Sequence, residues 1–71
     1  MPDPESIKRL VVGISGASGV IMGIRTLEIL RQIKDIKTHL VISSAAKITI
    51  AHETDWKIQD VISLADVYHK F

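Results

Sequence analysis

Residues able to do chemistry by type and spacing occur in a glycine-rich turn, at the end of an apolar run further on, and at an isolated acid. The turn is Gly13-Ile14-Ser15-Gly16-Ala17-Ser18-Gly19. Glycines at 13, 16 and 19 follow an apolar stretch and open a helical pattern, which is where α/β proteins bind phosphate. Backbone N–H groups point outward there, the helix dipole favours an anion, and glycine lets a phosphate approach the backbone. Ser15 and Ser18 add hydroxyls that can donate to phosphate oxygens. The spacing is neither G-x-G-x-x-G nor that of a P-loop, and the P-loop lysine is absent. An anionic ligand and a plain tight turn, with Ser18 as a helix cap, therefore stand side by side.

Ser43-Ser44 closes the second apolar run, Thr38-His39-Leu40-Val41-Ile42. In open α/β sheets, ligands sit in the crevice beyond the carboxyl ends of the strands, so this pair and the glycine turn would face one crevice. Taken by themselves, the serines read first as a helix cap. Glu53, followed by Thr54-Asp55, stands at the end of a short helical stretch, where an acid opposes the helix dipole. Solvated surface acids are nevertheless the commoner case. His39 reads as a packed or edge residue, Trp56 and Tyr68 as core or interface anchors, and Lys47 as part of a solvated helix face.

These groups need elements to position them. Leu10 to Ile14 is a short continuous apolar run without alternation, fitting a strand buried on both faces. A helix is expected from about Ser18 to Ile33, a connection over residues 34–37, a second strand over Thr38–Ile42, and a helix over Ala45–His52. After a turn at Thr54-Asp55, Ile58, Val61, Ile62, Ala65 and Val67 continue a weaker helical pattern. Strand, glycine turn, helix, strand, helix is the start of an open α/β fold with parallel strands. Two strands leave both sheet edges bare. The first helix carries two apolar stripes, Val20, Gly23, Ile24, Leu27 and Leu30 on one side and Met22, Ile29 and Ile33 on another. That is wider than a surface helix needs. More chain or another subunit is expected to cover it, so the domain is read as incomplete.

Composition narrows the class further. The 71 residues carry nine basic and eight acidic side chains, a net charge of +1 that is too small and too scattered for a nucleic-acid footprint. Without cysteine there are no disulfides, thiolates or sulfur-ligated metals, and the lone histidines share no ligand spacing. No apolar run approaches the roughly 20 residues of a membrane span. The opening Met1-Pro2-Asp3-Pro4-Glu5 is unlike a signal peptide. The chain reads as soluble and cytoplasmic, with a loose arm over residues 1–7 and part of one domain over 8–71.

Leu10-Val11-Val12-Gly13-Ile14-Ser15-Gly16-Ala17-Ser18-Gly19, then Gly23-Ile24-Arg25, Thr38-His39-Leu40-Val41-Ile42-Ser43, Ala45-Ala46-Lys47, Glu53-Thr54-Asp55 and Leu64-Ala65-Asp66-Val67, run in order and in register with a known family. Over about residues 8–69 the chain resembles the N-terminal part of the UbiX-like flavin prenyltransferases, formerly described as aromatic-acid decarboxylases. The resemblance implies a flavodoxin-like (Rossmann-like) three-layer αβα domain with a parallel sheet. It implies FMN as cofactor, no metal, and transfer of a dimethylallyl group from dimethylallyl phosphate to N5 and C6 of the reduced flavin. The prenylated flavin would go to a UbiD-like decarboxylase, and the protein would be a homo-oligomer. Carried over by residue, Gly16, Ala17, Ser18 and Ser43 would contact FMN, and Ser18 and Glu53 would handle protons near the reacting centre.

Departures accompany the resemblance. Met22 stands where relatives often carry an aromatic residue beside the substrate, so prenyl contacts would differ. Family members are well over twice as long, and the later arginine, lysine and tyrosine side chains that hold the substrate phosphate have no counterpart here. A truncated prenyltransferase lacking full competence is expected. The alternative is a non-catalytic module that binds a flavin or nucleotide phosphate, or docks with longer homologues. A dinucleotide binder would need an acid where Ser43 stands.

Overall fold

The computed structural model describes residues 7–16 and 19–70. Along the chain they form β1 (Lys8–Ile14), α1 (Val20–Arg31), β2 (Ile36–Ile42), α2 (Ser44–Glu53), α3 (Ile58–Ser63) and β3 (Val67–His69). The strands are parallel in the order β1-β2-β3. β1 and β2 pair over their whole length, from Lys8 opposite Ile36 to Ile14 opposite Ile42. Between α1 and β2 the chain turns at Asp35, whose φ of 67° is left-handed. There the Asp35 carbonyl accepts the Lys8 N–H at 2.7 Å, fixing where the pairing begins.

Side chains alternate across a sheet with period two. In β2, Thr38, Leu40 and Ile42 are buried, whereas Lys37, His39 and Val41 face the other side. The buried set joins Ile14 of β1 and Val20, Ile24, Leu27, Ala46, Ile50 and Val61 of the helices in one core. Val12, Trp56 and Tyr68 pack against it, the two aromatics acting as the anchors expected of them. Both crossovers step in the same direction along the sheet, from β1 to β2 and from β2 to β3. Connections of one hand then lay all the helices on one face.

The opposite face is open. Val11 is 75% exposed, so the burial of the first strand on both faces that its apolar run suggests is met on one face only. α1 divides the same way. Val20, Ile24 and Leu27 are buried, while Met22 and Ile29 of the second stripe remain 74% and 62% exposed.

The continued helical pattern beyond Ile62 is corrected by a third strand. α3 stops at Ser63, and Val67–His69 pairs with His39–Val41 of β2. Asp66 makes the change of direction. Its carboxylate accepts the Thr38 N–H at 2.7 Å and the Thr38 hydroxyl at 3.3 Å, and its own N–H donates to Thr38 Oγ1 at 3.1 Å. These bonds seat the chain beside the start of β2. A strand this short has no periodicity of its own, and Val67 also fits the preceding helical spacing. The expected loose arm falls, except for the exposed Ile7, outside the described residues.

Gly23 sets the approach of α1 to the sheet. A Cβ there would lie 2.7 Å from Cγ1 and 3.0 Å from Cδ1 of Ile14, a buried and rotamerically stiff side chain. In an exposed helix Gly→Ala gains about 1 kcal/mol. Here Gly23→Ala is expected to lose about 1–2 kcal/mol in urea denaturation, because overpacking outweighs propensity. Unchanged or raised stability would show that the α1–β1 contact is looser than described.

Candidate flavin half-site

The first turns of α1 and α2 both lie at the carboxyl edge of the sheet, each directly after a strand. Neither helix carries an acid in its first turn, so the positive ends of both dipoles are left uncompensated. Gly16, between β1 and α1, takes φ +74°, and the space a Cβ would occupy is open. A side chain there would be strained, and the open backbone admits close approach by a ligand. Gly19 is the N-cap of α1, and its carbonyl accepts the Gly23 N–H at 2.9 Å. Ala17 and Ser18, expected in this turn as flavin contacts, lie outside the described residues.

Ser43 sits across from this turn and is bonded to the same strand end. Its N–H donates to the Ile14 carbonyl at 3.0 Å. Its Oγ accepts the Ala46 N–H at 3.1 Å, and its carbonyl accepts the Lys47 N–H at 3.0 Å. Ser43 is thus the N-cap of α2, the simpler of the two roles its sequence position allows. Capping uses the hydroxyl only as an acceptor, so its proton stays free to donate towards the crevice.

Glu53 is elsewhere. It is the exposed last residue of the ten-residue α2, about 15 Å along the helix from Ser43. The next residue closes the helix: Thr54 Oγ1 donates to the Ile50 carbonyl at 2.7 Å and accepts the Trp56 N–H at 3.1 Å. Gly16 and Ser43 are therefore brought together, and Glu53 is not brought to them within one chain.

Lys47 departs from the expected solvated face. One helical turn beyond Ser43, it is half-buried, with Nζ 5.7 Å from the centre of the Tyr68 ring. The ring holds a cation near the carboxyl end of the strands. The sequence marked it only as part of the Ala45-Ala46-Lys47 segment. Among the described residues no group of three or more histidine or acidic side chains could hold a metal.

With this geometry in place, comparison with known proteins is decisive. The model of the Flavoprotein family matches residues 1–70. The chain belongs to that family. It is 57% identical over 63 residues to flavin prenyltransferase UbiX of Escherichia coli K12, covering 89% of this chain and 33% of that protein. It is 48% identical over 62 residues to the mitochondrial flavin prenyltransferase PAD1 of Saccharomyces cerevisiae, covering 87% of this chain and 25% of that one. The dodecameric FMN-dependent UbiX-like decarboxylase of E. coli O157:H7 superposes with a TM-score of 0.82 at 44% identity, over 87% of this chain and 34% of the other. AnUbiX (PadA1), solved with FMN and dimethylallyl pyrophosphate, also gives 0.82, at 43% identity over 89% and 33% of the two chains. The fold of this flavoprotein is thus the N-terminal portion of the flavodoxin-like, Rossmann-like αβα domain. The chain spans about a third of the length of the first curated relatives it matches.

The cap can be separated from any ligand role. Ser43→Ala is expected to destabilise the flavoprotein by about 1 kcal/mol, and Ser43→Asp, a strong N-cap in its own right, to restore most of that loss. Thermal or urea unfolding measures both. Equal destabilisation by the two changes would mean that the Ala46 bond does not hold α2.

Proposed function

We propose that this flavoprotein carries the first part of the FMN site of a flavin prenyltransferase, within a single domain beginning at residue 8. In this reading a dimethylallyl group from dimethylallyl phosphate is joined to N5 and C6 of reduced FMN, and the prenylated product serves a UbiD-like decarboxylase. One observation carries it. In a chain 57% identical to UbiX, the left-handed Gly16 and the Ser43 cap meet at the end of β1 through the Ser43–Ile14 bond. The residues present fit such a group, because the space over Gly16 is open, the Ser43 hydroxyl keeps its proton, and the nearby helix ends are electropositive.

Bound reduced flavin would supply the nucleophile, and the protein supplies orientation and donors. Gly16 would present backbone to the flavin phosphate and Ser43 would donate a hydroxyl hydrogen, while Ala17 and Ser18, given the same contacts by the resemblance, lie outside the described residues. Glu53 and Ser18 are the groups assigned to moving protons. With Glu53 a helix length from Ser43, that role calls for Glu53 to reach the crevice of a second copy. A homo-oligomer fits this need, and the E. coli neighbour is described as dodecameric. The location proposed is the cytoplasm; among the described residues no helix is long and apolar enough to cross a membrane.

A second reading, binding without turnover, is favoured by one observation: within the chain Glu53 lies a helix length from Ser43. Flavin titration of the folded chain, followed by fluorescence quenching, tests what the two share. Saturable FMN binding is expected. Ser43→Asp, which keeps the cap but adds a negative charge, is expected to weaken it at least about tenfold. Absence of binding by a chain that circular dichroism shows to be folded overturns both readings. Turnover of dimethylallyl phosphate then decides between them.

A further inference from the structure

On the sheet face away from the helices, His39 of β2 lies diagonally across from His69, the last residue of β3. His39 Nδ1 and His69 Nε2 are 2.8 Å apart, and the rings stack with centroids 5.1 Å apart and planes 21° apart. β3 pairs with β2 through three residues only, and the Thr38–Asp66 bonds fasten its start. The histidine contact fastens its end.

Two ring nitrogens at this distance form a hydrogen bond only while one carries a hydrogen and the other is bare. A neutral pair meets this condition, and so does a pair with one extra proton, whose bond is charge-assisted. A second extra proton leaves two donors and two cations face to face. Among the described residues nothing on this side of the sheet offsets that. Among the described residues of the strands, the charged side chains sharing the face are Arg9 of β1 and Lys37 of β2. The Asp66 carboxylate is engaged by Thr38, and the charged groups of α1, α2 and α3, including Lys47 over Tyr68, lie beyond the sheet.

We propose that the His39–His69 pair is an acid-released clasp that holds β3 on β2 and thereby keeps the α2–α3 crossover closed. The clasp is independent of the flavin assignment. The docked pair accommodates one extra proton and the released pair two, so uptake of the second proton weakens docking.

Nuclear magnetic resonance of the nitrogen-labelled chain at about pH 7.5 and about pH 5.5 tests the clasp. A scalar coupling between the two imidazole nitrogens across the hydrogen bond is expected at the higher pH and its loss at the lower. Amide exchange of Val67, Tyr68 and His69, corrected for intrinsic rates, is expected to speed up about fivefold relative to the β1–β2 amides, the weight of one hydrogen bond. In His69→Gln, which can hydrogen-bond but does not titrate, this pH dependence should vanish. A missing coupling at the higher pH, a coupling that survives acid, or equal pH dependence in wild type and His69→Gln would overturn the proposal. Should His69→Gln fail to fold, the wild-type coupling alone decides.

Discussion

Much of this structure depends on the end of β1. Ile14 is 2% exposed, and its side chain fills the space that Gly23 leaves vacant on α1. Its backbone pairs opposite Ile42, and its carbonyl takes the Ser43 N–H. One residue thus fixes the height of α1 over the sheet, the register of the two long strands and the position of the α2 cap. The side-chain contact is close packing, in which small changes of volume are felt. The backbone contact satisfies a polar group that burial would otherwise penalise. Both converge where the chain leaves the sheet at Gly16, so the crevice inherits its geometry from the core.

One-sided coverage is the second constraint. Helices from two crossovers of the same sense share a face, and the opposite face keeps Val11, Val41 and Val67 without a covering layer among the described residues. In a three-layer αβα domain such a face is the floor for a second helical layer. The exposed Met22 and Ile29 on α1 point away from the sheet altogether, so a layer beneath the sheet cannot reach them. Two apolar surfaces therefore ask for two different neighbours.

The long elements were legible because their patterns are long. β1 and β2 show as short runs rich in apolar and β-branched residues, and α1 repeats its buried stripe over about two turns from Val20 to Leu27. Gly16 was legible as part of a glycine turn, although nothing in the spacing required that φ be positive at Gly16 in particular. β3 escaped because three residues carry no period, and because the side chain that places it, Asp66, bonds a residue 28 positions earlier. The clasp escaped for the same reason: His39 and His69 are 30 positions apart and meet only once the strand order is known. Sequence spacing exposes contacts within a helix or a turn, whereas pairing between strands needs topology first.

The same distinction explains why Ser43 and Glu53 behave so differently as candidates. Both were singled out by their place in the sequence and again by resemblance, and they stand at the two ends of α2. Ser43 belongs to the end of the helix that the strand order presses against β1, so its position follows from local bonds to Ile14, Ala46 and Lys47. Glu53 belongs to the other end, where Thr54 turns the chain aside and the carboxylate meets solvent. A helix is a rigid spacer, and ten residues cannot bring its two ends to one reacting atom. If the acid and the cap serve one reaction, the missing proximity must come from symmetry, one copy lending its helix C-terminus to the crevice of another. An exposed glutamate beside a rigid turn would then be a residue waiting for an interface.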